Sequence, residues 1–253
     1  VKSASGQTFE RRNPANERVI GKFQKSNKED VRRAIETARN AFSKWRDMPA
    51  PKRANVLWRM KDLLIKNKER LAKLVTIEMG KVIAEGRGDV QEAIDMFELT
   101  AGEGRRLFGH TTTSELPNKF AMTIRVPIGV MALITPWNFP FAIPSWKTAP
   151  ALICGNTVIF KPSSDTPLAA VEFTKLLEEA GVPHGVFNMI TGSAEEVGQE
   201  LIISKEIDGI SFTGSKTTGE WILKNAGIKK VGLELGGKNA IIKMDDANLE
   251  LAL

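Results

Sequence analysis

The stretch Ile128-Gly-Val-Met-Ala-Leu-Ile-Thr-Pro-Trp-Asn-Phe-Pro140 decides the fold. An apolar run of strand length ends at two prolines and an asparagine, which hold the following backbone in a fixed, non-helical course. Outward from it, Thr157–Phe160, Val186–Ile190, Gly209–Phe212 and Lys230–Leu235 repeat the strand-like pattern, with helical stretches at 142–153, 167–180, 194–204 and 215–226 between them. This βαβ alternation predicts an α/β protein. Its Rossmann-like parallel sheet carries helices on both faces, and ligands gather beyond the carboxyl ends of the strands.

Upstream the pattern changes. Residues 9–24 give two short extended pieces around Asn13-Pro-Ala-Asn-Glu17, and Ser26-Asn-Lys-Glu29 supplies a capping box ahead of Val31, Ile35, Ala38, Phe42 and Trp45. Met48-Pro-Ala-Pro51 breaks that helix; a second follows through Leu57, Leu64, Leu71 and Val75 to Met79-Gly80, and a third runs from about Ile83 to Phe108. Two regions are expected: a helical N-terminal region with short strands over 1–126, and a Rossmann-like dinucleotide-binding domain over 127–253.

With 42% hydrophobic and 26% charged residues, the 253-residue chain is neither disordered nor collagen-like. One cysteine excludes a disulfide framework, and two isolated histidines give no metal-ligand spacing, so no metal site is expected. No apolar run reaches the roughly 18 residues a membrane helix needs, and Val1-Lys-Ser-Ala-Ser-Gly-Gln7 lacks a signal-peptide core; a cytoplasmic protein with no membrane partner is expected. The formal charge of +6 is local: residues 1–60 hold fifteen Lys or Arg against six Asp or Glu, leaving −3 elsewhere. Arg32, Arg33, Arg39, Arg46, Arg53 and Arg59 alternate with apolar positions at helical spacing and lack glycine-aromatic interleaving, the pattern of a solvated helix face rather than a nucleic-acid site.

Four strand ends carry chemistry. Asn138, between Pro136 and Pro140, is a rigidly held amide that either donates to an oxyanion or caps the helix from Phe141 onward. Lys161 ends a strand and is followed by Ser163 and Ser164, a place where a lysine meets phosphate or ribose; Asp165 or Thr166 caps the next helix. In Ser211-Phe-Thr-Gly-Ser-Lys-Thr-Thr-Gly219, Gly214 and Ser215 lead into a helix whose first N–H groups favour a pyrophosphate, although neither a P-loop nor Gly-x-Gly-x-x-Gly is present. Glu234, flanked by Leu233 and Leu235 and followed by Gly236-Gly237, is either a water-facing strand end or an acid in an apolar setting that raises its pKa for general base work.

Together Pro136-Trp-Asn-Phe-Pro140, Lys161-Pro-Ser163, Phe212-Thr-Gly-Ser215 and Leu233-Glu-Leu-Gly-Gly-Lys238 closely resemble the NAD(P)-dependent aldehyde dehydrogenase superfamily, over nearly the whole chain. Short-chain dehydrogenases need a catalytic tyrosine, and this chain has none. The resemblance implies oxidation of a small-molecule aldehyde to a carboxylic acid through a cysteine thiohemiacetal and hydride transfer to a nicotinamide. It gives Asn138 to the oxyanion, Glu234 to thiol or water, Lys161 and Ser164 to the adenosine ribose or its phosphate, Gly214 and Ser215 to the pyrophosphate, Trp137 and Leu235 to the cofactor cleft, and Thr135 and Ser163 to cofactor binding.

The family's nucleophile follows the glutamate in a Gly-Gln-x-Cys context, which these residues do not contain. Cys154, in an apolar helix before Gly155, reads as a small hydrophobe. The helical pattern of Asp245–Leu253 has no stop signal, so the chain is expected to be cut before its catalytic domain. NAD-using relatives carry a glutamate where Ser164 stands; a neutral serine beside Lys161 admits a 2′-phosphate, so NADP is expected to be preferred over NAD unless Asp165 takes the glutamate's role. The run from Arg125 to Pro144 is similar to enzymes of sugar-acid semialdehydes such as 2-oxoglutarate semialdehyde, and relatives assemble as homodimers or homotetramers through a strand pair resembling Asn118–Val126. Two other classes stay open: a non-catalytic dinucleotide-binding or structural fragment, and a basic nucleic-acid binder.

Overall fold

The computed structural model describes residues 2–248 and 250; the helical pattern expected over Asp245–Leu253 falls partly outside them. A hairpin comes first, β1 (Thr8–Arg12) against β2 (Val19–Gln24). Helix α1 (Lys28–Asp47) follows, capped one residue later than expected: Asn27 accepts from the Glu29 and Asp30 N–H groups, and the Asp30 carboxylate accepts from Asn27 N–H. Ser26, one residue earlier, is buried and its N–H is bound to the Thr191 carbonyl at 2.9 Å. Helix α2 (Ala50–Met79) ends at Gly80, whose φ of 82° suits glycine. Helix α3 (Ile83–Glu103) stops short of Phe108: Arg105, Arg106 and Phe108 are exposed, Phe108 to 64%, so packing does not extend the helix over them.

After the short pair β3 (Thr111–Thr112) and β4 (Ala121–Met122), narrower than the strand expected over 118–126, the α/β alternation begins. It runs β5 (Val130–Ile134), α4 (Ala142–Ile153), β6 (Thr157–Lys161), α5 (Pro167–Glu179) and β7 (Phe187–Met189). A π-helical turn, Ala194–Gly198, enters α6 (Gln199–Ile203), and β8 (Gly209–Thr213), α7 (Lys216–Asn225) and β9 (Lys230–Glu234) complete it. The five strands are parallel in the order β7-β6-β5-β8-β9, so the chain reverses its direction of travel between β5 and β8.

The uninterrupted apolar runs of β5 and β6 follow from burial on both faces. Met131, Leu133, Val158 and Phe160 point into a core shared with α2, α3, α4 and α5; Val130, Ala132, Ile134 and Ile159 point into another shared with α1, α6 and α7. The first core runs across residue 127 without a break, so the N-terminal helices pack directly on the sheet. Strands β8 and β9 are covered on one face only: Ile210, Phe212, Val231 and Leu233 turn to the second core, while Glu234 stays exposed on the other face.

Two buried carboxylates clamp the N-terminal helices to the strand ends. Glu78, at the end of α2, accepts from the N–H groups of Leu168 at 2.6 Å and Ala169 at 2.8 Å and so caps α5; neither Asp165 nor the Thr166 side chain does. Asp89 of α3 accepts from Ala142 N–H at 2.8 Å and caps α4, a role Asn138 does not fill. Burial pushes the Glu78 carboxyl up to about 7 against the pull of those two N–H groups and Arg11. Folding therefore takes up a proton, and Glu78's contribution to stability is greatest below about pH 4.5 and declines as the pH rises to about 7. Glu78→Ala leaves two buried donors unpaired and is expected to cost about 2–4 kcal/mol, measured by urea unfolding, with the larger loss at the acidic end of that window.

Basic residues of the N-terminal helices are engaged within the protein. Arg32 pairs with Glu200, Arg33 with Asp30, Arg39 with Asp208, and Arg46 with Asp47. Arg53 donates to the carbonyls of Ile153, Arg46 and Met48, and Arg59 to that of Ala180. No helix among the described residues is long and apolar enough to cross a membrane.

Candidate active site

The register of the sheet sets four strand ends side by side. Ile134 lies opposite Lys161 on one side and Phe212 on the other, Phe212 lies opposite Leu233, and Thr213 opposite Glu234. With strands about 4.8 Å apart, β6 and β9 stand roughly 14 Å apart, enough for an extended ligand to cross the switch point between β5 and β8.

A groove of about 600 Å³ opens there. Thr135, Lys161, Ser163, Ser164 and Gly214 line it, together with residues that sequence reasoning did not single out: Gln199, Ile202, Thr217, Thr218 and Trp221. Their signal was weak because they lie on helix faces that meet the groove only after α6 and α7 pack beside the sheet; the π turn, whose Ala194 and Gly198 also line the groove, is a known mark of functional positions.

Each residue is held by its own element. Thr135 is buried, and its N–H bonds to the Lys161 carbonyl at 3.2 Å. The Lys161 side chain runs against Gly198; burial lowers its amine pKa and nearby Glu195 opposes that fall. Ser163 accepts from Asp165 N–H at 3.1 Å, closing the turn after β6, and Ser164 donates to the Gly192 carbonyl at 3.4 Å. Gly214 N–H bonds to the Glu234 carbonyl at 3.0 Å, and a side chain at Gly214 would meet the Phe212 ring at 2.4 Å. Ser215 caps α7 through Thr218 N–H, which leaves the N–H groups of Lys216 and Thr217 without partners inside the helix. Unpaired N–H groups, a positive helix end and a lysine along one groove match the needs of a dinucleotide.

Trp137 and Asn138 turn away from this groove. With Phe139 they border a separate depression of about 460 Å³ against Met79, Lys81 and Asp89. The Lys81 ammonium donates to the Asn138 carbonyl and lies 3.7 Å from the centre of the Phe139 ring. The Asn138 side chain is exposed and makes no hydrogen bond among the described residues.

The apolar setting expected for Glu234 is not found. Strand alternation turns Leu233 toward the helix-covered face and Glu234 to the opposite one, and Leu235 lies over α7, where a Cβ at Gly219 would meet it at 2.7 Å. Glu234 is polar in its contacts: the Thr213 hydroxyl donates to it at 2.7 Å, and the Lys147 ammonium lies 3.7 Å away while donating to Ser211 at 3.0 Å. Lys147 is buried on α4, which lowers its amine pKa, with Glu234 opposing the fall. Glu234 thus has a fixed cation behind it and solvent in front. Only the tertiary fold, which carries the Lys147 side chain from α4 to Ser211 and Glu234, could disclose it as their partner.

Cys154 sits at the end of α4, where burial raises its thiol pKa, contrary to what a nucleophile needs.

Known proteins place this geometry. Residues 1–253 match the model of the aldehyde dehydrogenase family. Glutarate-semialdehyde dehydrogenase of Pseudomonas aeruginosa is 44% identical over all of this chain, which covers 53% of that protein. Succinate-semialdehyde dehydrogenase [NADP(+)] of Escherichia coli is 41% identical over 98% of the chain and 52% of its own length. Betaine aldehyde dehydrogenase of Staphylococcus aureus, solved in complex with NAD+, superposes with a TM-score of 0.93 at 39% identity, covering 100% of this chain and 51% of that one. The chain spans about half the length of the curated relatives it matches. A parallel sheet whose strand ends carry Asn138, Lys161, Gly214 and Glu234, matched by a family model from end to end, makes this chain a member of the aldehyde dehydrogenase family.

Proposed function

We propose that the full-length protein oxidises an aldehyde to a carboxylic acid with a nicotinamide dinucleotide, prefers NADP, and takes a semialdehyde, a small aldehyde that also bears a carboxylate. The observation that carries this reading is the row of strand ends: a dinucleotide groove from Lys161 to Gly214 leads directly to Thr213 and its hydrogen-bonded neighbour Glu234. In this reading Lys161, Ser163 and Ser164 hold the adenosine end, and Gly214, Ser215 and the first turn of α7 hold the pyrophosphate. Trp137 and Leu235 flank the nicotinamide end. The dinucleotide, when bound, supplies a hydride acceptor.

Glu234 takes the proton from the thiol nucleophile and later from water, and Lys147 holds its carboxylate in place. Asn138 donates its side-chain N–H to the developing oxyanion. In this reading the thiol is a cysteine other than Cys154, whose burial raises its pKa. Semialdehyde chemistry draws support from the names of several relatives, alpha-ketoglutarate semialdehyde dehydrogenase of Haloferax volcanii at 43% identity among them. Ser164 in place of a carboxylate supports NADP. The exposed row Phe120, Met122, Ile124 and Val126 supports assembly as a homodimer or homotetramer.

The test is the initial rate of coenzyme reduction by the full-length protein with glutarate, succinate and 2-oxoglutarate semialdehydes and betaine aldehyde, each with NADP and NAD. Oxidation of the semialdehydes with NADP is the expected result. Absence of turnover with every pair overturns the reading, and NAD binding at least about tenfold tighter, or 1.4 kcal/mol, overturns the coenzyme preference.

A further inference from the structure

The turn that carries Asn138 is held from outside at one point. From Pro136 to Pro140 the only hydrogen bond from another element, among the described residues, is the one that the Lys81 ammonium donates to the Asn138 carbonyl. The same ammonium lies 3.7 Å from the centre of the Phe139 ring, so one cation grips two successive residues. Glu85, Asp89 and Glu92 border the same depression, and Lys81 forms an ion pair with none of them among the described residues. A lysine that settles on a neutral carbonyl and a ring, with carboxylates nearby, is placed there by the fold.

The root of Lys81 is fixed on both sides. Before it, buried Glu78 at the end of α2 is bound to the N–H groups of Leu168 and Ala169 at the start of α5, and Gly80, with a φ of 82°, turns the chain out of α2. After it, buried Asp89 accepts from Ala142 N–H at 2.8 Å and from Phe141 N–H at 3.4 Å, just past the Asn138 turn. The corner between α2 and α3 is thereby clamped to the starts of α4 and α5, and Lys81 projects from it onto the peptide that joins Asn138 to Phe139. A carbonyl held in this way fixes the ψ angle of Asn138 and, with it, the direction of its side chain.

We propose that Lys81 is a positioning residue for aldehyde oxidation: its bond to the Asn138 carbonyl aims the Asn138 amide at the developing oxyanion. The proposal rests on the reading of Asn138 given above. A preorganised donor acts only from the right place, and a displacement of about 1 Å caused by a change away from the chemistry costs up to about 10²-fold in rate. With Pro136, Pro140 and Asp89 still in place, loss of Lys81 alone is expected to cost about tenfold.

The experiment uses the full-length protein as wild type, Lys81→Met, Asn138→Ala and the double variant. It reads the rate of the burst of coenzyme reduction in a single turnover, with a semialdehyde that the wild type oxidises, and coenzyme affinity by titration. Methionine keeps an unbranched stem and removes the donor and the charge. Lys81→Met is expected to slow the burst about tenfold with coenzyme affinity unchanged, and to change it by less than about twofold when Asn138 is already alanine, because no amide is left to aim. A merely structural role of Lys81 would cost the same in both backgrounds. An equal loss in both, a loss of coenzyme affinity alongside the rate, or no loss at all overturns the role given to Lys81 and leaves that of Asn138 standing. An unchanged burst in Asn138→Ala overturns the reading of Asn138 itself.

Discussion

Glu234→Gln in the full-length protein is expected to lower kcat for aldehyde oxidation by about 10²–10⁴-fold, the usual contribution of a positioned general base, with the KM for the coenzyme nearly unchanged. Glutamine matches glutamate in size and can still accept from the Thr213 hydroxyl that now donates to Glu234 at 2.7 Å, so the strand end and the groove keep their shape. What it removes is the proton acceptor. It also removes the carboxylate 3.7 Å from buried Lys147, so burial acts on that amine without opposition. Steady-state rates together with the burst of reduced coenzyme in a single turnover separate loss of thiol activation from loss of hydrolysis. A glutamine variant within about threefold of the wild type in both would show that Glu234 is only a solvated strand end.

Asn138→Ala is expected to lower kcat by about 10²–10³-fold, the loss typical of one oxyanion donor, again with little change in coenzyme KM. The backbone at Asn138 is over-determined: Pro136 and Pro140 restrict it, Lys81 binds its carbonyl, and Asp89 grips the N–H groups of Phe141 and Ala142 beyond it. Its side chain is left exposed and without an intramolecular partner. A rigid backbone that presents an unused amide is what electrostatic preorganisation requires. Because Asn138 borders a depression apart from the main groove, its loss should leave dinucleotide binding intact, which a coenzyme titration of the variant checks. Unchanged kcat would reduce Asn138 to a turn residue.

Much of the fold was legible because its signals are local. The strand runs at 128–134, 157–160, 209–212 and 230–235 all became strands of one parallel sheet, since apolar runs of that length separated by helices have few other ways to be buried. Helix ends were less legible. The cap of α1 is Asn27 rather than Ser26, and Ser26 is instead tied through its N–H to Thr191, far along the chain. Helices α4 and α5 are capped by Asp89 and Glu78 from other helices, although Asn138, Asp165 and Thr166 stand nearer in sequence. Within the site, Thr135, Lys161, Ser163, Ser164 and Gly214 were found because a strand end followed by hydroxyls or glycine has a local spelling. Trp221, Gln199 and Lys147 were not, since each reaches the site only through the packing of its helix.

The sequence by itself determined the succession of strands and helices, the strand-end motifs and the family they match, because all of these depend on residues within a few positions of one another. Only the tertiary structure decided what surrounds each group. Glu234 proved to be held by Thr213 and Lys147 rather than set among leucines, and Asp165 proved to be paired with Arg11, 154 residues away in the chain. The physical reason is the range of the interactions. Backbone conformation is fixed by nearest neighbours, whereas burial, ion pairing and the pKa shifts that follow from them depend on which distant segments the sheet register and helix packing bring together.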